Sequence, residues 1–459
     1  MQVQQDGGAA APGEATPGPA ESSPARGAKA GGRLANRRAI IAWCFYDWAN
    51  SAFPTVIVTF VFAAYYTQVL APDPETGTGQ WGLAMSLSGI AIAILAPILG
   101  AVADQGGRRK PWIAVFSLLC IASGAGLWFA EPDPSWALFA LVLAALANLA
   151  FEIGTVFYNA MLPEVAPARL WGRVSGWAWS LGYAGGLACL VLTLVLFVQP
   201  AEPLLGLDKA NSEHVRIAGP FVALWFLAFA LPMFLFTPDR TGSGMPVGRA
   251  IVQGLSALRH SLAKLPKQGV VLRYLIARMF YTDGLNTLFA FGGIYAAGSF
   301  GMDFTEILVF GILLNVTSGL GAFAFAWVDD WIGPKRTILI AVGALTLLGG
   351  AILLIETKLW FYILGSAIGI FIGPAQSASR TLMARLAPAK VRTEMFGLYA
   401  LSGKVTAFMG PAAVGGITVL TGSQRWGMTA ILVLFVVGFV LLLPLKEPPP
   451  DPDGAPPLV

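Results

Sequence analysis

Apolar runs separated by short polar stretches dominate the chain. A helix needs roughly 20 mostly apolar residues to cross a bilayer. Twelve runs meet that length, at about 39–70, 80–101, 112–130, 136–162, 173–198, 217–236, 271–297, 303–327, 337–356, 359–384, 394–421 and 426–445. The predicted fold class is an all-α polytopic membrane protein with twelve transmembrane helices. One long polar connection, residues 237–268, divides the runs six and six. It shows no amphipathic or motif-like recognition pattern. The expected domains are an N-terminal half at 39–236, a linker at 237–270 and a C-terminal half at 271–446. Disordered tails are expected at 1–38, rich in Gly, Ala and Pro, and at the Pro-rich 447–459. No apolar stretch follows a short basic head, so no signal peptide is expected.

Composition agrees with a membrane protein. Hydrophobic residues make up 56% of the chain and charged ones only 12%, against about 25% charged in soluble domains. Charge matters here by location. With both tails placed in the cytoplasm, the outer loops hold Lys209, Arg216, Lys358 and Arg425, and Lys404 lies inside a span. The other 24 of the 29 Lys and Arg then fall on the inner side, as the positive-inside rule requires. Cys44, Cys120 and Cys189 fall in apolar runs and read as small core residues, with no disulfide expected. His214 and His260 lie in polar stretches, which argues against a histidine-based metal or catalytic site. There is no Walker motif, nucleophile–His pair or metal cluster. The chain is not expected to be an enzyme, to hold a cofactor or metal, or to bind nucleic acid.

The two halves repeat. Asp47-x-x-Asn50-Ser51-x-Phe53 in the first run returns as Asp283-x-x-Asn286-Thr287-x-Phe289 in the seventh. The loop at 100–110, GAVADQGGRRK, returns as AWVDDWIGPKR at 326–336, and PAR at 167–169 returns as PAK at 388–390. Two six-helix halves in the same orientation are therefore related by a pseudo-two-fold axis along the membrane normal.

GAVADQGGRRK resembles the loop motif of the major facilitator superfamily. Gly100, Asp104, Gly107, Arg108 and Arg109 match it, and Gln105 stands where a basic residue is usual. Asp330 and Gly333 occupy the repeated loop. Asp104 ends a helix and could attract basic residues and a neighbouring helix N-terminus in one conformation only, which would make the loop a gate. A plain positive-inside anchor remains the alternative for Arg109 and Lys110. The blocks YDWANSAF, FYNAMLPEV, YTDGLNT, GPAQSASR and EMFGLYALSGKVTAFMGP narrow the resemblance to the vacuole-effluxer-like family. That family takes its name from a fungal vacuolar protein implicated in amino-acid export during autophagy. The resemblance implies a plasma-membrane transporter of the bacterial type.

Ionisable groups in hydrocarbon are costly and mark function by default. The deep ones are Asp47, Glu152, Asp283 and Lys404, all near the midplane. Asp47, Asn50 and Ser51 at i, i+3, i+4 form one helical face, and Asp283, Asn286 and Thr287 another. The expected central site combines both faces with Glu152, Lys404 and Gln376. The same groups could instead hold the halves together, with Asp283 against Lys404. Arg278 and Arg380 lie nearer the basic rim and are expected to snorkel. Tyr158 and Asn159 could serve a ligand or helix packing.

The expected function is secondary active transport by alternating access. A layer of both signs suits a zwitterion such as an amino acid, and the carboxylates are candidates for proton coupling. A drug or lipid exporter of the same fold and a transport-dead sensor or scaffold are the alternatives. The expected partners are a small-molecule substrate, protons and membrane lipid, with the protein a monomer in the bacterial inner membrane.

Overall fold

The computed structural model describes residues 36–447, so the expected tails lie almost wholly outside the described residues. Helix 1 begins at Arg37, with Asn36 capping it through the Ala39 amide. Eleven helical segments are long and apolar enough to span a membrane. In chain order they are helices 1 (Arg37–Leu70), 2 (Pro74–Gly106), 3 (Lys110–Phe129), 4 (Pro134–Ala160), 5 (Ala168–Val198), 6 (Glu213–Phe236), 8 (Thr305–Ile332), 9 (Pro334–Ile352), 10 (Lys358–Leu386), 11 (Ala389–Thr421) and 12 (Gln424–Leu442). Helix 7, Gly269–Phe300, is as long, at 32 residues. Arg273, Arg278 and Asp283 dilute its apolar character. The twelve helices of the expected fold are thus present.

Outward side chains such as Leu138, Leu347 and Val419 stand exposed along the bundle wall. In a bilayer that surface meets acyl chains rather than water. The two halves meet mainly along helix 2 with helix 11 and helix 5 with helix 8. Small residues permit this approach. A Cβ on Gly100 would lie 2.6 Å from the Thr393 carbonyl oxygen, and one on Gly176 2.6 Å from that of Ala322. Helices 2 and 8 both end on a glycine with positive φ, Gly107 (82°) and Gly333 (90°). Only glycine takes that conformation without strain. Each glycine leaves an aspartate, Asp104 or Asp330, in the last turn of its helix.

Two helices are irregular at mid-depth. Helix 1 is α-helical to Asn50 and then π-helical over Phe53–Phe60, where Pro54 supplies no amide to the ladder. Helix 11 stops at Lys404, passes through a turn, and resumes at Met409. Non-helical backbone at membrane depth is tolerated only where it is buried in protein or lines a cavity.

One expectation for the linker is corrected. Residues 237–268 contain an amphipathic helix, Val247–Lys264. Ala250, Gly254 and Leu258 face the bundle, while Val247, Ile251, Leu255 and Leu262 are exposed beside that face. A Cβ on Gly254 would lie 2.8 Å from Val102 Cα in helix 2. Alanine and glycine make up much of the docking face, which hides the helical period from a hydropathy reading.

Candidate functional site

Four helices converge on Arg380. Its Nη1 donates to Asp47 Oδ2 at 3.0 Å and Asn159 Oδ1 at 3.2 Å. Its Nε and Nη2 donate to the Oγ and carbonyl oxygen of Ser175 at 2.9 and 2.7 Å. Trp43, Tyr158 and Trp179 surround the guanidinium, with ring centroids 4.9, 5.7 and 5.8 Å away. Arg380 belongs to helix 10 of the second half, and all these partners belong to the first. The expectation that Arg380 snorkels is therefore corrected: it is 2% exposed and ties the halves together. Arg278 is buried as well. It donates to the Tyr399 carbonyl and Ser402 Oγ at 2.6 and 2.8 Å and lies 3.4 Å from the Tyr399 ring centroid. Both arginines turn inward because aromatic faces and carbonyls stand within reach, and lipid offers a guanidinium neither.

A second ion pair also spans the halves. Lys404 Nζ lies 2.6 Å from Glu152 Oε1, and the two side chains are 28% and 25% exposed. Its partner is thus Glu152 of helix 4, not Asp283. Lys404 is the last residue before the break in helix 11. Gln376 also bridges the halves, accepting a 2.6 Å bond from the Tyr183 hydroxyl.

Asp283 has a different environment. Its Oδ2 accepts the Gly410 amide at 3.0 Å, at the start of the resumed helix 11. Its Oδ1 and the Thr287 hydroxyl are buried without hydrogen-bond partners. No cation lies within ion-pair distance of Asp283 among the described residues. Asn286 is exposed, so the expected single face of Asp283, Asn286 and Thr287 divides. The i, i+4 pair turns into the helix packing and the i+3 residue turns away. In helix 1, Asn50 is buried beside Ser51, whose hydroxyl is 3.4 Å from Asn50 Oδ1.

The basic end of the bundle is closed by two related clamps. Asp104 accepts Thr393 Oγ1 at 2.6 Å and the Glu394 amide at 2.9 Å, capping the start of the regular helix in span 11. Asp330 accepts the Gly172 amide at 2.8 Å and Arg173 Nε at 2.6 Å, at the start of helix 5's regular part. Each carboxylate thus holds a helix N-terminus of the other half. Around Asp104 lies a network. Arg109, 1% exposed, donates to Thr393 Oγ1 at 2.9 Å and pairs with Glu164 at 2.7 Å. Glu164 also meets Arg240 at 3.1 Å and Arg392 at 3.3 Å. Arg108, by contrast, is exposed.

These features have relatives. The family described as "Vacuole effluxer Atg22 like" matches residues 164–448. The chain belongs to this family. The major facilitator superfamily model matches residues 8–190. The uncharacterised MFS-type transporter YxiO of Bacillus subtilis is 26% identical over 88% of this chain and 94% of its own length. Autophagy-related protein 22 of Coccidioides immitis is 22% identical over 80% of this chain and 73% of its own. Among solved structures, the proton:xylose symporter XylE superposes with a TM-score of 0.70 at 12% identity, over 90% of this chain and 96% of the other. The transporter FucP in its outward conformation gives 0.70 at 14%, over 90% and 99%. These structures share the fold. The chain is a major facilitator transporter integral to a membrane.

In this Atg22-like chain the embedded charges of the two halves pair as Asp47 with Arg380 and Glu152 with Lys404, so the alternative of Asp283 against Lys404 is not what forms. Glu164, Arg392, Glu394, Asp239 and Glu447 join the network or its repeat only through the tertiary structure. One signal was available. Glu164 and Arg385 occupy equivalent places 221 positions apart with opposite charge. Asp239 accepts the Arg109 and Lys110 amides, and Glu447, pairing with Arg385, accepts the Lys335 amide.

Proposed function

We propose that this Atg22-like transporter moves an amino acid or similar zwitterion by alternating access, driven by protons. The Lys404–Glu152 pair carries the reading. It joins the halves, sits at a helix break, and keeps both groups partly accessible. A zwitterion offers a carboxylate to Lys404 and an ammonium to Glu152, so it can replace the internal pair without leaving either charge unmatched. The family's description, vacuole effluxer, agrees with transport across a membrane.

Asp283 is the proposed proton carrier. Asp47 and Glu152 already have cationic partners, whereas Asp283 has only an amide. A buried carboxylate without a counter-ion can gain a proton at little electrostatic cost. The clamps at Asp104 and Asp330 act as the gate. Their contacts cross between the halves, so opening that end must break them. By the positive-inside rule this end faces the cytoplasm of a bacterial inner membrane.

The test is a thermal-stabilisation screen of purified protein against amino acids, drugs and lipids, followed by uptake of each hit into proteoliposomes. Stabilisation and uptake of zwitterions support the reading. Stabilisation only by bulky amphiphiles would replace it with the exporter alternative.

A further inference from the structure

A cleft of about 550 Å³ lies at the basic end, between the start of helix 3 and the end of helix 6. Arg108, Lys110 and Arg240 supply its charge, and Pro111, Ala114 and Phe234 its apolar wall. One carboxylate, Asp239, also lines it. Its oxygens already accept the backbone amides of Arg109, Lys110 and Arg240 at 3.0, 3.3 and 2.8 Å. Among the described residues neither Arg108 nor Lys110 forms an ion pair; the Lys110 ammonium donates only to the Phe234 carbonyl, at 2.9 Å. The cleft therefore holds an excess of positive charge. Farther along helices 3 and 6, Val115, Leu118, Leu231, Leu235 and Phe236 form an exposed apolar band.

We infer that this cleft binds the headgroup of an anionic phospholipid. The basic groups meet the phosphate, and the band next to them receives the acyl chains. A free anion would use the charge but leave the apolar wall uncovered. Basic side chains at the membrane surface attract anionic lipid in general, but this cleft is more specific than an even scatter of charge. In the repeat, Pro334 stands at the place of Arg108, and Glu447 pairs with Arg385. The charge of Arg108 therefore has no counterpart in the second half.

The cleft also touches the gate. Arg240 pairs with Glu164 at 3.1 Å and donates to the Ala389 carbonyl of the second half at 2.9 Å. The Ala389 contact requires the basic end to be closed. A headgroup that fixes Arg240 in this position favours the closed arrangement through its differential affinity.

The experiment uses the full chain purified in a neutral detergent, with melting temperature and native mass spectra as readouts. The probes are dioleoylphosphatidylglycerol, dioleoylphosphatidylcholine and inorganic phosphate. Phosphatidylglycerol should raise the melting temperature and remain bound, with the other two well behind. Arg108→Gln/Lys110→Gln should bind phosphatidylglycerol about thirtyfold more weakly. Arg108→Lys should keep most of the affinity, and Arg249→Gln, a charge lost from the linker helix, should change nothing. Unchanged binding by the double variant overturns the inference. So does an equal loss in Arg249→Gln, which would make the effect one of net charge. Stabilisation by inorganic phosphate equal to that by phosphatidylglycerol would assign the cleft to a free anion instead.

Discussion

Arg380 of helix 10 lies 3.0 Å from Asp47 of helix 1, so a cation of the second half is sheathed in aromatic and carbonyl groups of the first. The pair is 2% and 13% exposed at the side chains. Removing one member of a buried pair leaves a charge without compensation, at a cost of about 3–5 kcal/mol. Arg380→Gln should lower the melting temperature of purified protein clearly. Asp47→Asn should do so less, because Asn159 and Ser175 still hold the guanidinium. The double variant should recover part of the loss. Additive losses would show that the two residues act independently.

The gate should respond to loss of a clamp without loss of fold. Asp104→Asn keeps an acceptor for Thr393 but weakens the cap on Glu394 and the attraction to Arg109. Folding should remain near normal while transport slows, because the contact depends on one conformation. Asp330→Asn should behave alike through Gly172 and Arg173. Transport rates equal to the parent in both variants would reduce these loops to topological anchors.

Gly100→Val attacks the same seam by shape. A Cβ there would lie 2.6 Å from the Thr393 carbonyl oxygen, which cannot move aside without shifting helix 11. The variant should favour molecules open at the basic end. Cysteine labelling of Thr393→Cys, buried in the parent, should then become fast. Labelling as slow as in the parent would show that the seam does not control access.

Lys404→Gln should weaken binding of a zwitterion by about 1.5–3 kcal/mol, the worth of a charge-assisted hydrogen bond. The empty protein should lose less stability than with Arg380→Gln, because both members of this pair are partly accessible and the Glu152 carboxylate left behind can reach water. Calorimetric titration of the best stabilising zwitterion measures the first effect and thermal melts the second. Unchanged affinity would remove Lys404 from the substrate site.

Asp283→Asn can still accept the Gly410 amide but can carry no proton at neutral pH. Uptake driven by a pH gradient should vanish while exchange across vesicles continues. Gradient-driven uptake at the parent rate would end the assignment of Asp283 as the proton carrier.

The hydropathy pattern and the repeat alone determined the architecture of twelve helices in two equivalent halves. Those signals are local: a bilayer demands length and apolarity of each span separately, and a duplicated order survives as spacing. The embedded charges were also legible, since any ionisable residue in a long apolar run stands out. Which charge meets which was decided by tertiary structure. Asp47 and Arg380 are separated by 333 residues and Glu152 and Lys404 by 252, and depth along a helix does not fix which way a side chain turns. Arg278 and Arg380 show the limit well: both lie near a rim, where snorkelling is the ordinary outcome, yet aromatic faces and carbonyls from other helices draw them inward. The break after Lys404 was invisible for the same reason, because the support for its backbone comes from Asp283 on helix 7 and not from neighbours in the chain.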